Sequence, residues 1–182
     1  GNITSLIGIG FNLIAVSWLV LSETGSEFAL GKIIATATIP GLFISLFTGY
    51  IIDKTNRKWL MVFLDIFRLS VILIFLLTIQ FYEFSISYLY PVVFFIGIGN
   101  SLFWSTSQAF TQEIVTTKEY FNANKLLSAS FQIGSILGAS VGGFIVHFYN
   151  PFTALWINIL AYLISGILIS LAPFKTTLSQ LN

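Results

Sequence analysis

Long runs of apolar residues, separated by short polar breaks, dominate the chain. Six segments are long enough to cross about 30 Å of hydrocarbon, which takes about 20 residues at about 1.5 Å of helix rise each. Apart from the third, each contains an uncharged run of about 19 residues or more. The pattern predicts an all-α membrane protein in which residues 1–182 form one unit, with spans over residues 3–21, 27–52, 58–80, 88–113, 117–147 and 152–171.

The breaks carry the residues that begin and interrupt helices. Ser26 is a candidate N-cap for the second helix. The TTKE stretch predicts a capping box, with Thr116 as the N-cap of the fifth helix and Glu119 three residues on. Pro151 suits the first turn of the sixth helix, whereas Pro40 lies inside the second and is expected to kink it.

Composition supports a location in the membrane. Hydrophobic residues make up 56% of the chain, charged residues 8%, and the mean hydropathy is +0.92. A net charge of +1 with scattered basic residues is too small for nucleic-acid binding. With no cysteine and a single histidine, we expect no disulfide framework, metal site or cofactor. Because the first residue is Gly1 rather than Met, we expect the natural amino terminus to be missing.

Basic residues are unevenly distributed between the two ends of the predicted bundle. If the DKTNRK loop is cytoplasmic, Lys32 lies near the other face, and the rest of the basic residues in loops and helix ends fall on the cytoplasmic side: Lys54, Arg57, Lys58, Lys118, Lys125 and Lys175. Because cytoplasmic loops are enriched in Lys and Arg, both chain ends are expected in the cytoplasm.

The stretch FTGYIIDKTNRKWLM gathers scarce charge into one short loop. Asp53 lies at the negative end of the second helix dipole, and Arg57 and Lys58 lie at the positive end of the third, so both signs are unfavourably placed. This placement suggests that Asp53 is retained for a partner, either Arg57 or the positive N-terminus of another helix. A positive-inside loop with an incidental aspartate explains the same charges equally well.

The loop also fits a known signature. It follows the pattern G-x-x-x-D-[RK]-x-x-R-[RK] through Gly49, Asp53, Lys54, Arg57 and Lys58. This pattern resembles the loop between the second and third helices of the major facilitator superfamily. Asn56 stands where a glycine is common, and asparagine tolerates the left-handed turn geometry that we expect there.

Two further regions resemble bacterial efflux members of that superfamily, the branch that includes macrolide and siderophore exporters. The first is SLIGIGFNLIAVSWLVLSETGSEFALG, and the second is ANKLLSASFQIGSILGASVGGFIV in the fifth helix. In the latter, Gly138, Gly142 and Gly143 match the antiporter motif G-P-x-x-G-G, with Ala139 in place of proline. The fourth helix reads WSTSQAF where that branch often has P-A-R-Q-A-F.

The resemblance implies the amino-terminal six-helix half, built from two three-helix repeats, of a twelve-helix bacterial plasma-membrane transporter. The substrate would bind between this half and a carboxy-terminal half that is absent here. Export of a small amphipathic compound or drug by alternating access, coupled to protons, is the implied activity. The aspartate of the loop signature would contact a helix start in the other half and hold the outward-open state.

Two charges lie inside the predicted third helix. Asp65 and Arg68 are three positions apart, so they share one helix face. Because charges at that depth are costly, they are usually paired or functional. We expect a structural ion pair between them or with Arg57, and a proton-coupling role for Asp65 is the alternative.

Polar side chains form stripes on three other helices. Asn100, Trp104 and Gln108 recur every four residues on the fourth helix, and Asn12 lies on the first. The fifth helix contributes Ser128, Gln132 and Ser135. Because polar groups in hydrocarbon need partners or water, these faces should point into the bundle or a cavity. Substrate contact and hydrogen bonding between helices are both open for each of them.

Glycines recur on the fifth helix. Gly134, Gly138 and Gly142, with Gly143 beside them, predict close helix packing, and a hinge is the alternative. An intramembrane protease is not expected, because Ser140 and His147 are separated by about 10 Å of helix rise. A free-standing six-helix channel or scaffold protein is the remaining rival to a transporter, although a pore would favour one repeated polar ring over stripes on three helices.

Overall fold

The computed structural model describes residues 2–173, which form six long helices joined by short turns. These are α1 Asn2–Thr24, α2 Glu27–Lys54, α3 Arg57–Phe81, α4 Leu89–Ile114, α5 Tyr120–Phe148 and α6 Pro151–Leu171, with a single 3-10 turn Ile86–Tyr88 before α4. Each is long and apolar enough to cross a membrane, and the described residues contain no strand. The predicted all-α membrane fold is confirmed. Lys175, which contributed to the predicted charge bias, lies outside the described residues.

Helices α2 and α6 begin where their capping residues predict. The side chain of Ser26 accepts a hydrogen bond from the Ala29 backbone N–H at 3.2 Å. Asn150 accepts one from the Thr153 N–H at 2.8 Å, with Pro151 at the first helical position. Each cap satisfies an N–H that has no partner within its own helix. These contacts fix the entry of the chain into α2 and α6.

The predicted capping box before α5 is wrong in one respect. The Glu119 carboxylate does accept from the Thr116 N–H at 3.3 Å, but the Thr116 hydroxyl also donates to that carboxylate at 2.8 Å. It therefore does not accept a backbone N–H as an N-cap would. The residues between them form a turn, and α5 begins at Tyr120.

The helices pack in a pattern that repeats within the bundle. Helix α1 packs against α5 and α6, α4 packs against α2 and α3, and α3 packs against α6. The α1–α5 contact corresponds to the α4–α2 contact, and the α1–α6 contact corresponds to the α4–α3 contact. These contacts are therefore unchanged when each helix of the first three is exchanged with its counterpart among the last three. The six helices therefore form two structurally equivalent three-helix repeats, as expected for a major facilitator bundle.

Small residues allow the closest approaches between the two repeats. A Cβ built on Gly138 of α5 would lie less than 3.0 Å from the Ile7 carbonyl oxygen of α1, and Gly134 and Gly142 face the same helix. The equivalent α2–α4 contact uses Gly97, where a Cβ would lie less than 3.0 Å from the Ala37 carbonyl oxygen. Because lipid provides little hydrophobic driving force, such backbone contact is a main source of helix association in membranes.

Gly143 does not belong to this interface. Nothing lies within 4 Å of a Cβ built on it, because the next residue along a helix is rotated by about 100° away from the packed face. The expectation that it packs α5 together with Gly138 and Gly142 is therefore wrong. No hinge is needed to explain the three glycines that do face α1.

These two glycines offer a matched test of packing on one helix. We expect Gly138→Ala to lower the stability of the complete protein by about 1–3 kcal/mol, because the methyl group would overlap the α1 backbone. Gly143→Ala should change stability by less than about 0.5 kcal/mol, since its surroundings are open. Thermal unfolding of the purified protein in detergent measures both, and equal effects of the two variants would contradict the packing assignment.

Candidate functional site

The charged loop is attached to α4 through Arg57. One guanidinium nitrogen, Nη1, donates to the Ala109 carbonyl oxygen at 3.0 Å and to the Glu113 carboxylate at 3.3 Å. Glu113 lies at the end of α4, and its role was not apparent from the sequence because nothing in the local pattern relates it to a loop 56 residues away. The turns after α2 and α4 therefore lie side by side at one end of the bundle.

Asp53 forms an exposed ion pair with Arg57, four residues along the chain, but no hydrogen bond joins them. The nearest guanidinium nitrogen is 3.8 Å from its carboxylate, which is too long for a hydrogen bond, and the Asp53 side chain is 76% exposed. Lys54 lies over the Tyr50 ring at 4.7 Å, whereas Lys58 donates to the Ala172 carbonyl oxygen at 2.7 Å. The loop thus presents one carboxylate outward while Arg57 and Lys58 hold its other end to the bundle.

Asn56 has a different role from the one expected. Its backbone is extended, with φ −71° and ψ 113°, so no left-handed geometry is required. Its side-chain oxygen accepts from the Trp59 N–H at 3.2 Å, which makes it the N-cap of α3. Gly49 of the same signature has nothing within 4 Å of a Cβ built on it, so this face of α2 is open.

A buried ion pair lies at the centre of the bundle. Arg68 and Asp65 are both fully buried, and Arg68 Nη2 contacts Asp65 Oδ1 directly. Ser5 of α1 bridges the pair, because its hydroxyl donates to Asp65 Oδ1 at 2.8 Å and accepts from Arg68 Nη2 at 2.7 Å. Arg68 also donates to the Leu64 carbonyl oxygen at 3.2 Å and to Asn100 Oδ1 of α4 at 3.0 Å.

Aromatic rings enclose the Arg68 guanidinium on both sides. Its central carbon lies 4.3 Å from the centre of the Phe103 ring and 4.4 Å from that of Tyr162. Both distances are within the range of cation–π attraction. Gly99 provides room for this arrangement, since a Cβ there would lie 2.7 Å from Arg68 Cγ. The two rings and Gly99 therefore limit the positions that this side chain can adopt.

Helix α6 contributes polar residues that the sequence analysis missed. Asn158, Tyr162 and Ser165 are fully buried on α6, and Asn158 lies against Gly8 of α1. Their spacing of four and three residues places them on one face of a largely apolar helix. This spacing could have been recognised in the sequence. Ser5 could not, because lone serines are common in membrane helices.

Two adjoining cavities open on the face formed by α1, α2, α4 and α5. Their volumes are about 480 and 440 Å³, and both are lined by Ile9, Asn100 and Ser101. The larger also contacts Asn12, and the smaller contacts Trp104, Ser128 and Gln132. The structure therefore brings most of the predicted polar stripes to one surface, where substrate contact remains a prediction.

Two stripe residues behave differently from the rest. Gln108 lines neither cavity, although it lies one turn beyond Trp104 on α4. The Ser135 hydroxyl donates to the Phe131 carbonyl oxygen at 2.9 Å, a bond within its own helix. The smaller cavity has an aromatic wall instead, in which the Trp104 and Phe131 ring centres are 4.7 Å apart.

Comparison with known proteins identifies the family. The profile of the transmembrane secretion effectors, which are major facilitator proteins, matches residues 1–181. The chain belongs to this family. Its membership confirms the resemblance to the major facilitator superfamily and shows a half-domain of a membrane transporter.

Two bacterial relatives match nearly the whole chain of this major facilitator half-domain. It is 22% identical to the multidrug efflux pump Tap of Mycolicibacterium fortuitum and 24% identical to an uncharacterized MFS-type transporter, YvqJ, of Bacillus subtilis. Each match covers 98% of this chain, but only 46% of Tap and 42% of YvqJ. The chain thus spans a little less than half the length of these relatives.

The stability of this half-domain should fall more when one member of the ion pair is replaced than when both are replaced. We expect Asp65→Asn or Arg68→Met alone to cost about 3–5 kcal/mol, because each would leave one buried group without its partner. The double variant should recover most of that loss, since both charges are removed together. Thermal unfolding of the complete protein measures the difference. Additive losses in the double variant would show that the two residues do not act as a pair.

Proposed function

We propose that the chain is the amino-terminal half of a secondary active exporter of small amphipathic compounds. Two six-helix halves would rock around a substrate site near the bilayer midplane and expose it alternately to each side. The observation that supports this proposal is the open cavity face formed by α1, α2, α4 and α5. The proposal includes a proton gradient as the energy source, by analogy with the family, and outward transport, by analogy with one relative that is an efflux pump.

The chemistry of the cavity face suits an amphipathic ligand. Among the described residues, Asn12, Asn100 and Gln132 supply amides, and no Asp, Glu, Lys or Arg lines either cavity. Most of the remaining lining is apolar. Small-molecule sites commonly combine such apolar walls with a few placed polar groups. A compound with an apolar body and a few hydrogen-bonding groups therefore matches this surface better than an ion does.

The proposal places the second half against the open face of α2, the helix that leads into the loop signature. Large apolar side chains are exposed there next to the loop signature: Leu42, Phe43, Leu46, Phe47 and Tyr50. Gly49 adds a position at which another backbone could approach closely. In this proposal Asp53 closes the cytoplasmic side by binding the positive start of a helix in the other half.

Transport by the complete gene product tests the proposal. Cells that lack their own exporters would be loaded with Nile red, an uncharged amphipathic dye, and its loss would be followed by fluorescence with and without the gene. We expect faster loss that stops when a protonophore collapses the proton gradient. Dye loss equal to that of control cells would overturn export, and ion conductance by a symmetric oligomer of this chain would favour a channel.

Asp53 should be needed for transport rather than for membrane insertion. We expect Asp53→Asn in the complete protein to slow Nile red export about tenfold, the effect of losing one charge-assisted hydrogen bond worth about 1.5 kcal/mol. Glu119→Gln is the matched control, because Glu119 is an acid in the neighbouring turn that bonds only within that turn. Unchanged export by Asp53→Asn, at equal amounts of protein in the membrane, would remove the latch from the proposal.

The proposed orientation places the Asp53 loop in the cytoplasm. Thr55 in this loop and Glu83 in the turn after α3 are both exposed, at opposite ends of the bundle. The chain itself contains no cysteine, so Thr55→Cys and Glu83→Cys provide single labelling sites once any cysteine elsewhere in the complete protein is replaced. An impermeant maleimide added to intact cells should label only Glu83→Cys. Labelling of Thr55→Cys alone would reverse the orientation.

A further inference from the structure

Arg68 determines which end of the Asn100 side chain faces the ion pair. A guanidinium has only donors, so the Asn100 atom 3.0 Å from Arg68 Nη1 must be the carbonyl oxygen. A flipped amide would place N–H groups against N–H groups. Asp65, Ser5 and two aromatic rings hold Arg68 in place, so it cannot turn away to accommodate a flip. The hydrogen bond from Arg68 therefore fixes the orientation of the Asn100 amide.

The consequence lies on the cavity side of Asn100. This residue is half-buried and lines both cavities, and its amide nitrogen has no hydrogen-bond partner among the described residues. With the oxygen committed to Arg68, the amide offers donors to a ligand.

An aromatic wall lies next to this donor. Trp104 follows Asn100 by four residues, so both lie on one face of α4, and Phe131 of α5 packs against the Trp104 ring. Flat apolar groups stack favourably on such rings. A donor beside an aromatic surface, with no charge lining the cavity, selects a particular type of molecule.

We propose that the smaller cavity is a subsite for an uncharged planar aromatic group that carries a carbonyl-type hydrogen-bond acceptor. Asn100 donates to the acceptor, Trp104 and Phe131 contact the ring system, and Arg68 is a positioning residue that acts through Asn100. The inference rests on the proposed function for its setting, but it concerns binding rather than movement across the membrane. It also gives the buried ion pair a role in ligand selection in addition to packing.

Xanthone and xanthene form a matched pair of probes. Both are three-ring compounds of similar, nearly flat shape, and xanthone has a carbonyl where xanthene has a methylene group. We expect the purified complete protein, in detergent, to bind xanthone about tenfold more tightly, which is the worth of one hydrogen bond in a partly dry site. Equilibrium dialysis measures both dissociation constants against the same micelle background. Equal binding of the two compounds, or binding of neither, would overturn the proposal.

Three variants locate the source of the preference. Asn100→Leu should bring the ratio of the two dissociation constants close to one, whereas Gln108→Leu, at an amide of the same helix that lines neither cavity, should leave the ratio near tenfold. The double variant Asp65→Asn with Arg68→Met frees the amide to turn, so the ratio should fall; a purely structural role would weaken both compounds alike. A tenfold preference that survives Asn100→Leu would overturn the assignment. A protein that shows the preference but does not export Nile red would contradict the proposed function and not this inference.

Discussion

The arrangement of the bundle depends on one buried ion pair, Asp65 and Arg68. Because these opposite charges lie among membrane-spanning helices, each needs the other as a partner. Arg68 and Asp65 are fully buried, and neither reaches water through the described structure. Isolated charges at such depth are among the most costly groups in a membrane protein. The contacts that relieve this cost come from four helices: Ser5 on α1, the pair itself on α3, Asn100 and Phe103 on α4, and Tyr162 on α6. The relative positions of these helices are thereby restricted at one point.

Close backbone contact supplies the second constraint, and it is used twice. Gly138 brings α5 against α1, and Gly97 brings α4 against α2, which is the equivalent contact between the two repeats. The ion pair lies between these two seams and joins α3 and α6, the helices that neither seam reaches. Glycine contacts thus join the helices around the cavities to one another, while the polar contacts of the ion pair join them to α3 and α6.

The sequence predicted the number, order and approximate bounds of the helices, because apolar runs of this length have few alternative structures. It also placed Asp65 and Arg68 on one face, and it directed the amides either into the bundle or into a cavity without distinguishing the two. It missed the contacts that depend on tertiary arrangement. Gly97 shows no spacing pattern of its own, and Glu113 meets Arg57 only because two turns adjoin. The role of Asn56 was misread because both a turn and an N-cap favour asparagine, and only the backbone angles distinguish them.

The attachment of the charged loop has a mechanical consequence. The loop joins two helices of the first repeat, but Arg57 is bonded to α4 and Lys58 to the end of α6, which belong to the second. In the proposed latch, a displacement of Asp53 would therefore act on helices of both repeats through these hydrogen bonds, and not on the loop alone.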